Sequence, residues 1–306
     1  MAFSKRTTFG GVTVTRTASR ATRLLIRAAL AALMSMAISG TARAQAPAPN
    51  SGALGFTGAY DVPSLYLFRG IRQETDPDFT MWPAADLKFN FMTGDGALKS
   101  AAANVGVWNS LHTGSSGTDG TNHKLHYEED FYSSFTLGFG AATSFTTQYT
   151  AYTSPNFGFT NVKEILFKVS QGSKYAPYGL IAFEIGGETS GQADGGLEKG
   201  TYAEFGIGPS WPIRGGTTVT VPVKLGLSVS DYYELAGEDH KFGYFDIGGL
   251  VTVPLSGIPS RFGTWNFHFG GDYYALGDTT EAFNVDKEGD TSAHKFVGLV
   301  GFGVSY

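Results

Sequence analysis

Ionisable side chains recur on one phase of a two-residue alternation along this chain. Arg69, Asp86, Lys88, Glu164, Lys168, Glu184, Glu204, Lys224, Asp246, His268 and Asp272 all fall on the phase opposite the bulky apolar residues. In a strand that places them on the second face. Two chemistries are open to such a row. The charges pair and hydrogen-bond to fill the interior of a small closed sheet, or they line a narrow aqueous path and set its selectivity. Arg69 poses the choice most sharply, because a guanidinium takes a carboxylate bidentately. It is either an internal salt bridge or an anion-attracting constriction residue.

Catalytic and metal signals are weak by comparison. Asn266 and His268 sit two apart on one face. An outer-membrane lipid hydrolase would add a serine within hydrogen-bond reach and turn the site to lipid. The chain has no G-x-S-x-G and no H-x-S pairing, so His268 reads as an interior side chain. His112, His123, His126, His240 and His294 fall at or near strand ends, and Asp286 to Asp290 lacks the regular oxygen-ligand spacing of a calcium loop. Gly138-Phe139-Gly140 and Gly206-Ile207-Gly208 read as strand glycines, not phosphate cradles. No catalytic, cofactor or metal site is expected.

The elements that must position these residues are strands. Val219, Val221, Val223, Leu225, Leu227 and Val229 alternate with Thr220, Pro222, Lys224, Gly226 and Ser228. The last residues do the same: Phe296, Gly298, Val300, Phe302, Val304 and Tyr306 form one row, mostly bulky. The periodicity predicts twelve strands, near 53–72, 80–91, 101–112, 124–139, 142–154, 160–170, 175–187, 199–212, 217–231, 240–254, 262–277 and 293–306. The links predicted between them alternate between long and short, as in outer-membrane barrels with long outer loops and short periplasmic turns. The long ones carry acidic clusters, which could share divalent cations with lipopolysaccharide but read first as simply solvated: Glu74, Asp76, Asp78; Glu188, Asp194, Glu198; Glu234, Glu238, Asp239; and Asp278 to Asp290. Trp265 to Tyr273 covers roughly 21 Å along the normal at ~3.4 Å per residue and ~40° of tilt. That is near the ~25 Å apolar band of such barrels. Pro63 and Pro222 cannot donate to a ladder and read as bulges.

Residues 1–44 read as a cleaved signal peptide: six basic residues from Lys5 to Arg27, an apolar run, then Ala42-Arg43-Ala44. Residues 45–52 read as a flexible mature N-terminus, too short for a passenger or plug domain. All 27 acids follow residue 44, against 15 of the 22 bases, so the remainder carries about −12 (15 minus 27). That balance argues against nucleic acid as a partner. There is no cysteine, so an exported chain of this kind needs another brace, and a closed hydrogen-bonded sheet supplies one.

The segment Tyr66-Leu67-Phe68-Arg69-Gly70-Ile71-Arg72-Gln73 resembles the Y-V-F-R-G-x-x-Q motif of TorF-type porins, the Gcw_chp group. Pro83-Ala84-Ala85-Asp86-Leu87 and Val105-Gly106-Val107-Trp108-Asn109-Ser110 follow in the same order as that group's Pro-containing second strand and G-x-W-x-S element. The resemblance covers about residues 60–111 and implies an outer-membrane barrel of channel type, without naming a solute. Arg72 and Leu67 depart from it.

Taken with the alternation, these features predict an all-β protein: a closed antiparallel transmembrane barrel over residues 53–306, in the outer membrane. The function expected is passive diffusion of small hydrophilic solutes through a narrow lumen, with outer-membrane lipid and lipopolysaccharide as the surroundings. A non-transporting structural or adhesive barrel and, less so, a lipid hydrolase are the alternatives. Oligomeric state is left open.

Overall fold

Twelve long strands pair antiparallel, each with its neighbour in sequence, and the last returns to the first. The computed structural model describes residues 52–74, 79–113, 125–187 and 199–306. The expected signal peptide and nearly all of the mature N-terminus lie outside these residues. The strands are β1 (Leu54–Pro63), β2 (Thr80–Thr93), β3 (Leu98–His112), β4 (His126–Phe139), β5 (Thr143–Thr153) and β6 (Val162–Gln171). They continue as β7 (Tyr178–Gly187), β8 (Thr201–Ile207, then Ser210–Pro212), β9 (Thr218–Thr220, then Val223–Ser230), β10 (Phe242–Pro254), β11 (Thr264–Leu276) and β12 (His294–Ser305). β1 closes the ring on β12, from Thr57 opposite Ser305 to Pro63 opposite Leu299. Closure satisfies every edge, which a sheet in lipid requires.

The outward face is apolar along its length. Leu87, Val105, Phe131, Phe205, Ile247 and Phe302 are all more than 36 % exposed. Rings meet across neighbouring strands on this face, as in Phe145–Phe167 at 6.2 Å and Phe267–Phe302 at 5.2 Å. An exposed apolar surface continuous around a barrel is a membrane-facing surface. No helix among the described residues is long and apolar enough to cross a bilayer.

The strand ends that flank links 64–79, 113–125, 154–161, 188–200, 231–241 and 277–293 lie at one end of the barrel. Links 94–97, 140–142, 172–177, 213–217 and 255–263 lie at the other and are shorter. The latter end also holds the C-terminus, where Phe56 and Tyr306 exchange backbone hydrogen bonds of 2.9 and 2.8 Å. The alternation read from the sequence is present.

Three expectations need correction. The first strand does not run to residue 72. The ladder stops at Pro63, and Ser64 is tied to Gly298 through both its backbone and its hydroxyl; the chain then turns into the barrel. The single strands expected at 199–212 and 217–231 are each broken, at Gly208-Pro209 and Val221-Pro222. Two prolines on facing strands remove two ladder donors at one level. The third concerns the long links, which are not simply solvated acidic loops. Glu74 is 5 % exposed, Tyr232 and Tyr233 are at 1 % and 0 %, and Thr279, Thr280 and Asn284 are fully buried. The last three lie on or just after the short helix α1 (Asp278–Ala282).

Candidate functional site

Burial is concentrated at the long-link end. Thr80, Ser110, His112, Tyr127, Glu128, Tyr152, Glu164, Glu184, Tyr202, Tyr244 and Leu276 are all buried there, each within a few residues of a long link. What they pack around is a two-stranded ribbon, Leu67–Phe68 paired with Ile71–Arg72. Its turn is Arg69-Gly70, with φ of 47° and 82°. Positive φ at both central residues is the turn geometry that matches strand twist, and it suits glycine at the second position. A Cβ on Gly70 would lie 3.1 Å from Tyr244 and 3.2 Å from Thr280, so the turn is also pressed close against the wall. The base of the ribbon is closed by the Gln73 amide donating to the Tyr66 carbonyl at 3.1 Å.

Most residues of the Tyr66–Gln73 segment have a place in this plug. The Tyr66 hydroxyl donates to Glu128 on β4 at 2.8 Å, and its ring meets Trp82 on β2 and Trp108 on β3 at 5.2 and 5.4 Å. Phe68 lies edge-on to Tyr152 on β5 at 5.5 Å. Gln73 accepts from the Tyr127 hydroxyl at 3.1 Å. Ile71 joins the buried cluster of Ala182, Tyr202, Tyr232, Tyr233, Tyr244 and Leu276. The hairpin thus reaches β2, β3, β4, β5, β6, β8 and β10, which is most of the ring.

Arg69 is at its tip. Its guanidinium donates twice to Glu164 on β6, at 2.7 and 2.9 Å, and to the Tyr232 hydroxyl at 3.0 Å. It lies 4.1 Å from the centre of the Tyr202 ring. Side-chain exposure is 10 % for Arg69 and 1 % for Glu164. The tip backbone is held too: the Tyr233 hydroxyl donates to the Arg69 carbonyl at 2.8 Å, and the Asn284 amide donates to the Gly70 carbonyl at 2.6 Å. Arg69 therefore comes off a hairpin, not off the first strand, and its partner is the bidentate carboxylate that its chemistry favours.

The other ionisable residues divide by depth. Glu204 accepts from the phenols of Tyr178, Tyr202 and Tyr244 at 2.5, 2.6 and 2.7 Å. Tyr178 and Tyr244 lie flat over Gly206 and Gly226 of the next strand, where any side chain would collide with the rings. Lys224 pairs with Asp246 at 2.7 Å. Glu184 accepts from the Gly200 amide at 2.7 Å. Lys168 stands 4.4 Å from the Tyr178 ring centre. His268 uses both ring nitrogens, one on Asn266 at 3.0 Å and one on Asp61 at 2.8 Å. Asp86 is half-buried and takes a long 3.5 Å contact from Thr57. Asp272 packs against Gly248. Lys88 is exposed towards the short-link end. The residues that alternation grouped on one face are thus joined into several small sets and not into a single cluster.

One constellation escaped the sequence reading. Ser110 and His112, two apart on β3, touch at 2.6 Å through Oγ and Nε2, and Nδ1 of His112 faces Glu74. The Trp82 indole donates to Ser110 at 3.0 Å, and Tyr127 stacks on the imidazole at 4.6 Å. Ser110 and His112 are 0 % and 1 % exposed, so the contact is a buried brace between β3 and the β1–β2 link. The S-x-H spacing was visible; its acid partner, 38 residues away, was not. Among the described residues no three His, Cys, Asp or Glu side chains converge to hold a metal ion.

No family model matches the chain, and no curated protein matches it. Solved structures that resemble it are barrels. The NanC porin is 12 % identical, with 82 % of this chain and 99 % of that one covered and a TM-score of 0.40. The beta domain of the Bordetella autotransporter BrkA is 11 % identical, with 83 % and 99 % covered and a TM-score of 0.39. OmpF of Salmonella typhi, solved with daunomycin, is 7 % identical, with 83 % and 97 % covered and a TM-score of 0.36. Likeness at this level says nothing about solute or chemistry.

Proposed function

We propose that this chain is an outer-membrane barrel of TorF-type porin character, passing small hydrophilic solutes through a narrow lumen whose outer half is stopped by the Tyr66–Gln73 hairpin. The observation that carries the reading is the division of the wall. Apolar side chains face out, while Asp86, Lys88, Lys168, Glu204, Lys224, Asp246, His268 and Asp272 face the other way, with Asp246 buried against Lys224 and Lys88 exposed towards the short links. On this reading the belt contacts outer-membrane lipid and lipopolysaccharide, residues 1–44 direct export, and no enzymatic step is involved. Two segments that carry the TorF resemblance support it, because they meet in space: Tyr66 of the first packs on Trp108 of the second.

A second reading is a non-transporting structural or adhesive barrel. The bidentate Arg69–Glu164 pair favours it, since a plug bonded this well can be permanent. Single-channel recording in planar bilayers separates the two. The channel reading expects steps of current from refolded protein, larger and more frequent when residues 66–73 are replaced by a Gly-Ser turn. Silence from both proteins, with the barrel intact by circular dichroism, would leave the structural reading.

A further inference from the structure

We propose that the cage around Arg69 is a binding site for guanidinium and, more weakly, alkylammonium solutes, which the hairpin keeps filled with its own arginine. The proposal rests on the channel reading for the route by which a solute arrives. The binding itself stands on the geometry of the cage.

All but one of the groups around the guanidinium belong to the wall and its links. Glu164 on β6 presents both carboxylate oxygens to the fork. Tyr202 on β8 presents a ring face at 4.1 Å, and Tyr232, from the link between β9 and β10, presents a hydroxyl at 3.0 Å. The Tyr152 hydroxyl on β5 donates to Glu164 at 3.3 Å and helps hold it. Only Phe68, 5.0 Å from the guanidinium, comes from the hairpin. A buried carboxylate, an aromatic face and a hydroxyl together make a receptor for a planar cation. A compact ammonium can use the charge and the ring but not the fork, so it binds less well. Anions meet Glu164 and are rejected.

The occupant is removable in principle. No backbone–backbone hydrogen bond among the described residues joins the 66–73 segment to a wall strand. The ring is closed by β1 and β12 without it. Once the tip leaves, Glu164 is a buried carboxylate without its cation, and that vacancy favours any solute that restores the pair. An arginine on a short tether competes at an effective concentration of order millimolar, so free solute in that range is a fair rival.

Arg69→Gly tests this, since glycine tolerates the positive φ and empties the cage. The variant is refolded, and its thermal midpoint is followed in methylguanidinium chloride, with ethylammonium chloride, sodium chloride and urea as comparisons. Methylguanidinium is expected to raise the midpoint saturably, with half-effect in the millimolar range. Ethylammonium should need several-fold more, and urea and sodium chloride should not saturate. Adding Glu164→Gln should weaken the methylguanidinium effect at least tenfold. A methylguanidinium response no better than sodium chloride, or one that survives Glu164→Gln, overturns the proposal. Should Arg69→Gly not refold, Phe68→Cys in the otherwise cysteine-free chain replaces it. Maleimide labelling of that cysteine should speed up several-fold in methylguanidinium and not in urea; an unchanged rate is the overturning result. Bilayer recordings keep the two readings apart. Saturable rescue without current retains the cage and removes the channel; current without rescue does the reverse.

Discussion

Glu164→Gln puts the hairpin's attachment under direct strain. The substitution keeps the size of the side chain and removes its charge, leaving the Arg69 guanidinium, only 10 % exposed, without a counter-ion. Removing one partner of a buried pair costs about 3–5 kcal/mol. The amide oxygen can still accept one hydrogen bond, so the lower figure applies. The wall does not depend on this pair, because every strand of the ring has its ladder partners on both sides. The cost therefore falls on the plugged position of the hairpin. About 3 kcal/mol shifts the balance between hairpin-in and hairpin-out by roughly two powers of ten. Arg69 and Arg72 make the shift measurable, because both are trypsin sites on the plugged hairpin and both are partly buried there. When opening is fast relative to cutting, cleavage follows the open population. Glu164→Gln should be cut after Arg69 or Arg72 about a hundredfold faster than the parent, with the far-ultraviolet dichroism of the barrel unchanged. Cleavage within threefold of the parent, in a barrel shown to be intact, would mean that the ion pair does not hold the hairpin.

Further outcomes follow from the same geometry. Gly70→Ala brings a Cβ to 3.1 Å from Tyr244 at a φ of 82°, at a cost of about 1–3 kcal/mol for the strained backbone alone; trypsin should again cut faster, and equal rates would contradict the close approach. Lys224→Ala strands Asp246, whose side chain is 0 % exposed, and should lower the thermal midpoint clearly. The double change Lys224→Met with Asp246→Leu should recover most of the loss, since replacing a buried pair by apolar groups is often neutral; failure to recover would show that the pair contributes more than mutual neutralisation. Phe269→Arg, on the outward face at 40 % exposure, should cost about 2–4 kcal/mol in lipid vesicles if it lies near mid-bilayer. A neutral result there would place that surface outside the hydrocarbon.

The alternation along β4 to β12 was enough to give their number and their approximate ends, because strand periodicity is a property of the chain itself. The breaks at Pro209 and Pro222 were not foreseen as breaks: Pro222 was read as a bulge in a continuous strand, and the ladder is interrupted there because two missing donors face each other. Alternating link lengths, likewise local, gave the two ends of the barrel. What alternation could not give was the course of residues 64–72. Tyr66 and Phe68 continue the outward phase of Phe56 and Tyr60, so the segment reads as more strand. It turns inward because the ladder ends at Pro63 and because a ring of this size leaves room inside for a ribbon. The site shares this dependence on closure. Arg69 and Glu164 are 95 residues apart, and Glu74 on the β1–β2 link meets His112 at the end of β3. Sequence supplied the charges. Which of them meet was decided by strand stagger and by the hairpin that crosses the interior, neither of which leaves a periodic trace.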